Sequence, residues 1–546
     1  MHQAFDYPDF AYEPSPDERA AAPVRHPVVV IGAGPVGLVA ALDLARHGHE
    51  VVVLDDDHTV SVGSRAICWS KRTLEICDRL GIAEGLAAKG VRWQRGRVFF
   101  REREVYDFDL QPEPGHKMPA FVNLQQYHFE AAAVAAAQDD PRIDLRWRNK
   151  VVGVMPDPGD GPVTLEIETP DGRHRLLADW VLACDGAKSP TRKMLGLAFE
   201  GQVFQDRFLI ADVIMQADFP TERWFWFDPP FNPGQSALLH KQADDVWRID
   251  LQLGPDADPE VETKPERVIP RLKAMLGEEA QFELEWVSLY TFQCRRLARF
   301  RHGRVLFVGD SAHQVSPFGA RGGNGGIQDA DNLVWKLDRV MRGAAPEALL
   351  ESYDAERGPA TDENILNSTR STDFITPKSE ASRAFRDAVL ALSERHAFAR
   401  RLVNSGRLSV PAVLEGSPLA TPDDPDETFA GPMVPGAACI DAPIVGVEGE
   451  RWLLDALARQ PGFTLLALAE PGDPALTGLP AEVTPLAVDP KGPVGDSEGL
   501  VAARYDLHPG SAYLIRPDQH VAARFRAIDG ARIGHALDRA LGRDMP

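Results

Sequence analysis

One carboxylate and a run of bare backbone amides are set close together in the segment RVLFVGDSAHQVSPFGARGGNGGIQDADNLVW, Arg304–Trp335. Val305, Leu306, Phe307 and Val308 read as a buried strand that ends at Gly309-Asp310. A glycine-rich loop follows, and a helix begins near Asn324. Asp310 is thus delivered at a strand end, while the amides around Gly322, Gly323 and Asn324 gather at a helix N-terminus. Such an N-terminus carries about half a positive charge and binds anions. Taken alone, this pattern fits any α/β ligand loop.

Two upstream segments narrow the chemistry. Val28-Val29-Val30-Ile31 reads as a buried parallel strand, followed by Gly32-Ala33-Gly34-Pro35-Val36-Gly37, a G-x-G-x-x-G. An apolar-faced helix continues from Leu38 to Arg46, and a second strand, Val51–Leu54, ends at Asp55. Gly32 permits the tight turn, Gly34 admits a pyrophosphate to the backbone, and Gly37 lets helix and strand pack closely. Asp55 is placed to accept hydrogen bonds from a ribose diol. The other segment, WVLACDGAKSPTR at Trp180–Arg192, carries D-G-x-x-S-x-x-R on Asp185, Gly186, Ser189 and Arg192. It reads equally as a strand-end turn capped by Asp185 and Ser189.

Together and in this order, the three segments resemble the class A flavoprotein monooxygenases, the para-hydroxybenzoate hydroxylase superfamily. Gly309-Asp310 matches the motif that contacts the flavin ribityl chain, and Asp185-Gly186 the motif linked to flavin and nicotinamide binding. Further matches are Arg65 in GSRA, Gln126 and Glu130 in Q-x-x-x-E, and Ser352-Tyr353 with Glu356-Arg357. The resemblance spans about residues 28–406. Chain length and the segment LVNSGRLS, Leu402–Ser409, resemble the phenol hydroxylases related to 3-(3-hydroxyphenyl)propionate hydroxylase. One departure is Ser311, where the family usually has alanine; its small size predicts tolerance.

The resemblance implies tightly but non-covalently bound FAD, with NAD(P)H as a transient co-substrate and O2 as oxidant. It implies hydroxylation of a phenol through a flavin C4a-hydroperoxide. Pro317-Phe318 falls at the active-site wall, and the amides of 319–326 face the flavin pyrimidine. Arg65 and Arg248 match basic positions that accompany flavin movement and reductant binding, and Arg321 a basic loop position. Arg295 and Arg296 are further basic candidates, and a solvated surface role is open for each arginine. His240 and Tyr290 lie in the substrate region as candidates to touch the phenol, with packed core as the competing reading. His313 is expected to orient the Gly-Asp loop. Trp224-Phe225-Trp226-Phe227-Asp228-Pro229 echoes the W-x-W-x-I-P of flavin halogenases, but Asp228 replaces the isoleucine; an aromatic strand over the pocket is the preferred reading. A flavin dehydrogenase or oxidase, or a non-catalytic flavin-binding module, remain the alternatives.

Composition agrees with an enzyme of a reducing compartment, expected in the cytoplasm. The 546 residues, 44% hydrophobic, can bury a large core. Cys68, Cys77, Cys184, Cys294 and Cys439 show neither a C-x-x-C nor a metal spacing. A net charge of −22 argues against nucleic acid or an anionic membrane as partner. The longest apolar run, Val28–Leu42, is too short to span a bilayer.

The organisation this predicts is α/β. A Rossmann-like FAD-binding domain is assembled from residues 24–89, 124–197 and 300–372. An inserted, mainly antiparallel substrate sheet occupies 90–123 and 198–299. Residues 1–23, acidic and Pro/Tyr-rich, read as a disordered or loosely draped leader. Residues 373–427 hold an amphipathic helix at Glu380–Leu402 and a linker at Ser417–Glu427. Residues 428–546 resemble the thioredoxin-like tail of the same phenol hydroxylases. With only Cys439 that tail has no dithiol chemistry, leaving packing or homodimer contact as its role.

Overall fold

The strand Val24–Ile31 is buried over its last four residues, and a strand apolar on both faces belongs inside a parallel sheet. That is its position in the computed structural model, which describes residues 5–545 apart from 64, 160, 404–407, 409, 447–448, 461, 471 and 490–493. It pairs in parallel with Val51–Leu54 on one side and Gly172–Ala183 on the other. Ile143–Arg146 lies beyond the first, and Val305–Phe307 beyond the second. Because these five strands run the same way, their C-terminal ends share one sheet edge. Gly32, Asp55, Asp185 and Gly309-Asp310 all follow directly from those ends. Ligands bind at such an edge in open α/β sheets.

Three helices complete this layer's role in the site. Pro35–Arg46 (α1) follows the first strand, Gly322–Met341 (α2) follows the Gly-Asp loop, and Glu351–Ile375 (α3) packs beside α2. Leu38, Val39, Leu42, Ile327, Leu333 and Leu337 enter one core with the sheet.

A second sheet has the strand order 313–314, 283–296, 200–214, 246–253, 236–241, 223–227, 95–100, 103–109. Its pairings are antiparallel except that between Arg95–Phe100 and Arg223–Phe227. Alternation sorts its side chains. Leu209, Ala211, Val213, Leu239, Trp247, Ile249 and Leu251 form the outer face and pack on the helix Pro265–Leu276 through Val268 and Leu272. The inner face carries Phe208, Phe227, Leu238 and Phe292 and meets Phe318 and Ile375.

The C-terminal unit has a four-stranded mixed sheet in the order Val483–Val488, Phe463–Leu468, Ala512–Ile515, Val521–Phe525. Its first pair is parallel and the others antiparallel. Among the described residues no helix is long and apolar enough to cross a membrane.

Three expectations change. From Phe5 onward the leader is docked: Phe5 stacks on Tyr127 and Phe10 on Trp147, with ring centroids 4.6 and 4.4 Å apart. Asp17 lies 2.7 Å from both Arg146 and His26. Acidic composition suggested disorder; the interspersed aromatics overrule it. The expected helix at 380–402 is two helices, Glu380–Ser393 and Ala397–Val403, with Arg400 Nε donating to the Ser393 carbonyl at 2.8 Å. The Ser417–Glu427 segment is partly core, because Leu419 is fully buried and Ser417 Oγ donates to Glu356 Oε1 at 2.5 Å. Most of the LVNSGRLS segment lies outside the described residues.

Deleting residues 1–23 should therefore destabilise the protein rather than leave it unchanged. Loss of the two ring stacks and their buried area corresponds to about 2–4 kcal/mol. Urea unfolding followed by tryptophan fluorescence measures it, and an unchanged midpoint would contradict the docking.

Candidate flavin site

The nucleotide loop is shaped by what its glycines exclude. Gly32 has φ +104°, and a Cβ on Gly37 would sit 1.9 Å from the Gly32 carbonyl oxygen, so α1 touches the strand it follows. Gly34 differs: a Cβ there would meet nothing nearer than Glu130 Oε1 at 4.0 Å. Open space thus lies over Gly34 at the start of α1, whose first position is Pro35 and whose end has no side-chain cap. The side chain of Val36, a residue expected at the cofactor, is a packing wedge. A Cβ on Gly326 would meet its Cγ2 at 2.7 Å and the Gly309 Cα at 2.9 Å.

Asp55 first secures this loop. Its two oxygens accept from the amides of Ala33 at 2.6 Å and Asp57 at 2.8 Å. Burial pushes its carboxyl up to about 6 against the pull of those amides. The Q-x-x-x-E pair holds the neighbouring loop. Gln126 Oε1 accepts from the Ala66 amide at 3.0 Å, and its Nε2 donates to Glu130 Oε1 at 2.8 Å. Glu130 also accepts from the Ser61 amide and hydroxyl at 2.5 and 2.8 Å. Arg65 stands exposed on this tethered loop.

Asp185 accepts from Ser189 Oγ at 2.6 Å and the Thr191 amide at 2.9 Å, so its carboxylate is engaged in the turn. Arg192 extends the tie, donating to the Ser311 carbonyl at 2.8 Å and stacking over Phe199. Ser311 is more than tolerated: its hydroxyl donates to the Ala183 carbonyl at 2.5 Å and joins two strand ends.

Asp310 contrasts with these. Among the described residues none donates to its carboxylate, and burial raises its pKa, with His313 and Arg65 opposing. A Cβ on Gly322 would come within 4.0 Å of its Oδ1, so it faces the N-terminus of α2. Gly322 and Gly323 are partly exposed there, and no side chain caps that helix. The Asn324 side chain is scaffold. Its Oδ1 accepts from the Ser70 amide and Thr73 hydroxyl at 2.9 and 2.7 Å, and its Nδ2 donates to the Cys68 and Ala320 carbonyls. Its side-chain amide is thereby fully used, which leaves its backbone N–H, in the first turn of α2, as the group it can offer a cofactor. Pro317 is exposed, while Phe318 is buried against Phe208 and Phe292. Arg321 folds back, buried, to donate to the Phe318 carbonyl at 3.1 Å.

Sequence reasoning missed one hub: Asp329. It lies 2.5 Å from His313 Nε2 and accepts from Arg357 Nε at 2.7 Å and the Gly309 amide at 3.2 Å. The glycine-rich loop gave its helix away, but nothing local marked this position.

The catalytic candidates part company. Arg248 is buried in a two-pronged pair with Asp212, at 2.8 and 3.0 Å, and donates to the Arg65 carbonyl. It is therefore no part of an open basic patch; a buried arginine needs its carboxylate, and removing one partner strands the other. Arg296 is likewise engaged, with Asp362. Tyr290 is on the inner face, opposite Phe208, and partly exposed. His240 is on the same face, 1% exposed, with Nε2 3.8 Å from Asp250 Oδ2. Burial, helped by Arg223, lowers its pKa to about 4. Trp224 and Trp226 belong to the outer-face cluster, so of the halogenase echo only Phe225 and Phe227 face the pocket side.

A family model described as an FAD binding domain matches residues 25–368. The 3-(3-hydroxy-phenyl)propionate/3-hydroxycinnamic acid hydroxylase of Mycolicibacterium smegmatis is 27% identical over 531 residues, covering 93% of this chain and 92% of that protein. The 6-methylpretetramide 4-monooxygenase of Streptomyces rimosus is 31% identical, covering 91% and 90%. The chain belongs to the class A flavin-dependent aromatic hydroxylases. The crystal structure of the flavin-dependent monooxygenase PieE with FAD and substrate shares the fold of this hydroxylase, with a TM-score of 0.82 at 23% identity over 96% of this chain and 100% of that one.

The residues of the hydroxylase fit FAD. Space lies over Gly34, two uncapped helix N-termini supply amides for anionic groups, and Asp310 is a carboxylate lacking a donor. A Gly34→Val variant should fold yet lose FAD, read as the flavin-to-protein absorbance ratio of the purified protein. Gly37→Val should instead fail to fold, since its side chain would overlap backbone. Stoichiometric FAD in Gly34→Val would remove that loop from the site.

His240 also sets a pH dependence. Its folded pKa of about 4 lies below the unfolded value near 6.5, so between these pH values the unfolded chain binds more protons. Stability from this residue is complete above about pH 6.5 and is lost as pH falls towards 4, by up to about 3 kcal/mol. Denaturant midpoints from pH 7 to 4.5 should fall less steeply in His240→Gln than in the parent; parallel curves would contradict the assignment.

Proposed function

We propose that this hydroxylase adds one oxygen atom of O2 to the ring of a phenol, drawing electrons from NAD(P)H through FAD. The observation that carries the reading is the pairing of a built flavin edge with an opposed sheet face that is aromatic at Phe208, Phe225, Tyr290 and Phe292 and polar at His240. Relatives support it by name, among them a para-nitrophenol 4-monooxygenase from Pseudomonas that is 31% identical over 346 residues.

Bound FAD supplies transfer of two electrons from the nicotinamide and activation of O2. The chain's residues do the rest. Gly34 and the start of α1 receive the pyrophosphate, Asp310 accepts from a ribityl hydroxyl, and the amides at the start of α2 stabilise negative charge at the pyrimidine edge. Pro317 and Phe318 wall the reacting region from water. Exposed Arg65 offers the anionic reductant a positive charge on a chain of net charge −22, short-ranged in salt. His240, neutral at pH 7, is available to take the phenol proton.

The C-terminal unit we read as thioredoxin-like, which its strand order supports. Cys439 is buried there with its thiol pushed up to about 12, so the unit is structural rather than redox-active.

The test is NAD(P)H oxidation by the holoenzyme across a panel of simple phenols, with product oxygen traced from isotopically labelled O2. The expected result is phenol-stimulated oxidation and label in the ring hydroxyl. Oxidation indifferent to every phenol, with no label incorporated, would overturn the reading in favour of an oxidase.

A further inference from the structure

Arg223 is a buried cation without a close counter-ion. It is 5% exposed, and no carboxylate oxygen of a described residue lies within 4.0 Å of its guanidinium. Nη1 donates only to Cys68 Sγ, at 3.3 Å, and Nε has no partner. Its other contacts are the ring faces of Trp93 and Phe225, 5.9 and 5.4 Å away. Leaving such a donor unpaired in a protein interior is costly.

Two more unsatisfied groups stand beside it. The pairing of Trp224 with Leu239 sets Arg223 next to His240 on the inner face, and Asp250 shares that face opposite Leu238. Neither ring nitrogen of His240 has a hydrogen-bond partner, and Asp250 Oδ1 has none. Arg248 and Asp212 nearby satisfy each other. Phe225, Ser288 and Tyr290 on the same face keep partial exposure, so solvent reaches the face there. The unsatisfied set is thus one guanidinium donor, one imidazole and one carboxylate acceptor. Its complement is a group that both accepts and donates.

The geometry points to Arg223, His240 and Asp250 as the site that binds and ionises the ring hydroxyl of the phenol, an assignment that rests on the phenol-hydroxylase reading. Arg223 Nε donates to the phenol oxygen. The O–H bond breaks, an N–H bond forms on the imidazole, and the electron pair stays on oxygen beside the guanidinium, where its charge cancels the Arg223 repulsion that depresses the basicity of His240. Asp250 balances the imidazolium. An adjacent guanidinium lowers an acid's pKa by about 1–3 units, and the resulting phenolate is the more nucleophilic ring.

The probe is 4-nitrophenol, whose phenolate is coloured, titrated against pH while bound to the oxidised holoenzyme. In the parent protein the apparent acid constant of the bound probe should exceed that of free 4-nitrophenol about tenfold or more. Arg223→Gln should abolish this increase and Arg223→Lys restore part of it. Absence of 4-nitrophenol binding by the parent, or the same titration in Arg223→Gln, overturns the assignment. A second readout serves if the glutamine variant is poorly soluble. Because the cation lacks a counter-ion before substrate binds, Arg223→Met should raise the thermal midpoint of the substrate-free holoenzyme; a lowered midpoint marks a structural arginine and overturns the assignment. A phenolate bound at Arg223 with no labelled oxygen in any product would defeat the hydroxylase reading alone. Labelled product with an unaltered titration in Arg223→Gln would defeat this site alone.

Discussion

The fully buried carboxylate of Asp329 ties the flavin edge together. Burial opposes its ionisation, yet His313 and Arg357 hold its pKa below the usual range. Each of its three partners belongs to a different element: the Gly309 amide to the strand-end turn, His313 to the edge strand 313–314 of the second sheet, and Arg357 to α3. A buried ion stripped of its partners would cost several kcal/mol, so the three pieces are fixed relative to α2 or the carboxylate is not tolerated. This leaves Asp310, nineteen positions upstream of that hub, as the carboxylate presented outward with no donor of its own.

Close backbone approach does the remaining positioning. Gly37 against Gly32, and Gly326 against Gly309 with Val36 between, bring α1, α2 and the Gly-Asp turn nearer than any Cβ would permit. The glycines of the two loops therefore have separate duties. Gly34 leaves open space at the start of α1, while Gly32, Gly37 and Gly326 leave room for other backbone. Two helix N-termini consequently converge on one edge, each without a capping side chain. Anionic groups of a cofactor are the natural cap.

Much of this edge was legible in the sequence because each motif follows a strand, and parallel strands bring their ends together whatever lies between them. Side-chain duties were less legible. Spacing shows that Asn324 opens a helix, but not that Ser70, Thr73, Cys68 and Ala320 exhaust its amide. Arg248 sat at a matching position, yet its partner Asp212 is on a neighbouring strand 36 positions away, a pairing that only sheet register reveals. Arg223 and Asp250 were hidden differently. They occupy alternating strands whose aromatic and aliphatic neighbours read as core, and only the unsatisfied Arg223 Nε and Asp250 Oδ1 mark them. The leader failed because net composition outweighed three aromatics, Phe5, Tyr7 and Phe10, that pack on the core.

Adjacent residues Glu356 and Arg357 give the C-terminal unit a physical link to this chemistry. Arg357 faces Asp329, whereas Glu356 accepts from Arg516 at 2.5 and 3.1 Å and from Lys336 at 2.6 Å, with both atoms of each pair essentially buried. Arg516 also pairs with Asp518, and Arg72 donates to the Asp518 carbonyl and to Asp331 on α2. A buried network of this kind adds little net stability, since desolvation offsets attraction, but it admits one arrangement and penalises others. On α3, successive side chains point to different sides of the helix. Docking of the C-terminal sheet against Glu356 therefore fixes the rotation of the helix turn that presents Arg357 to Asp329. The flavin edge and the tail are in this sense one construction, joined at a single helical turn.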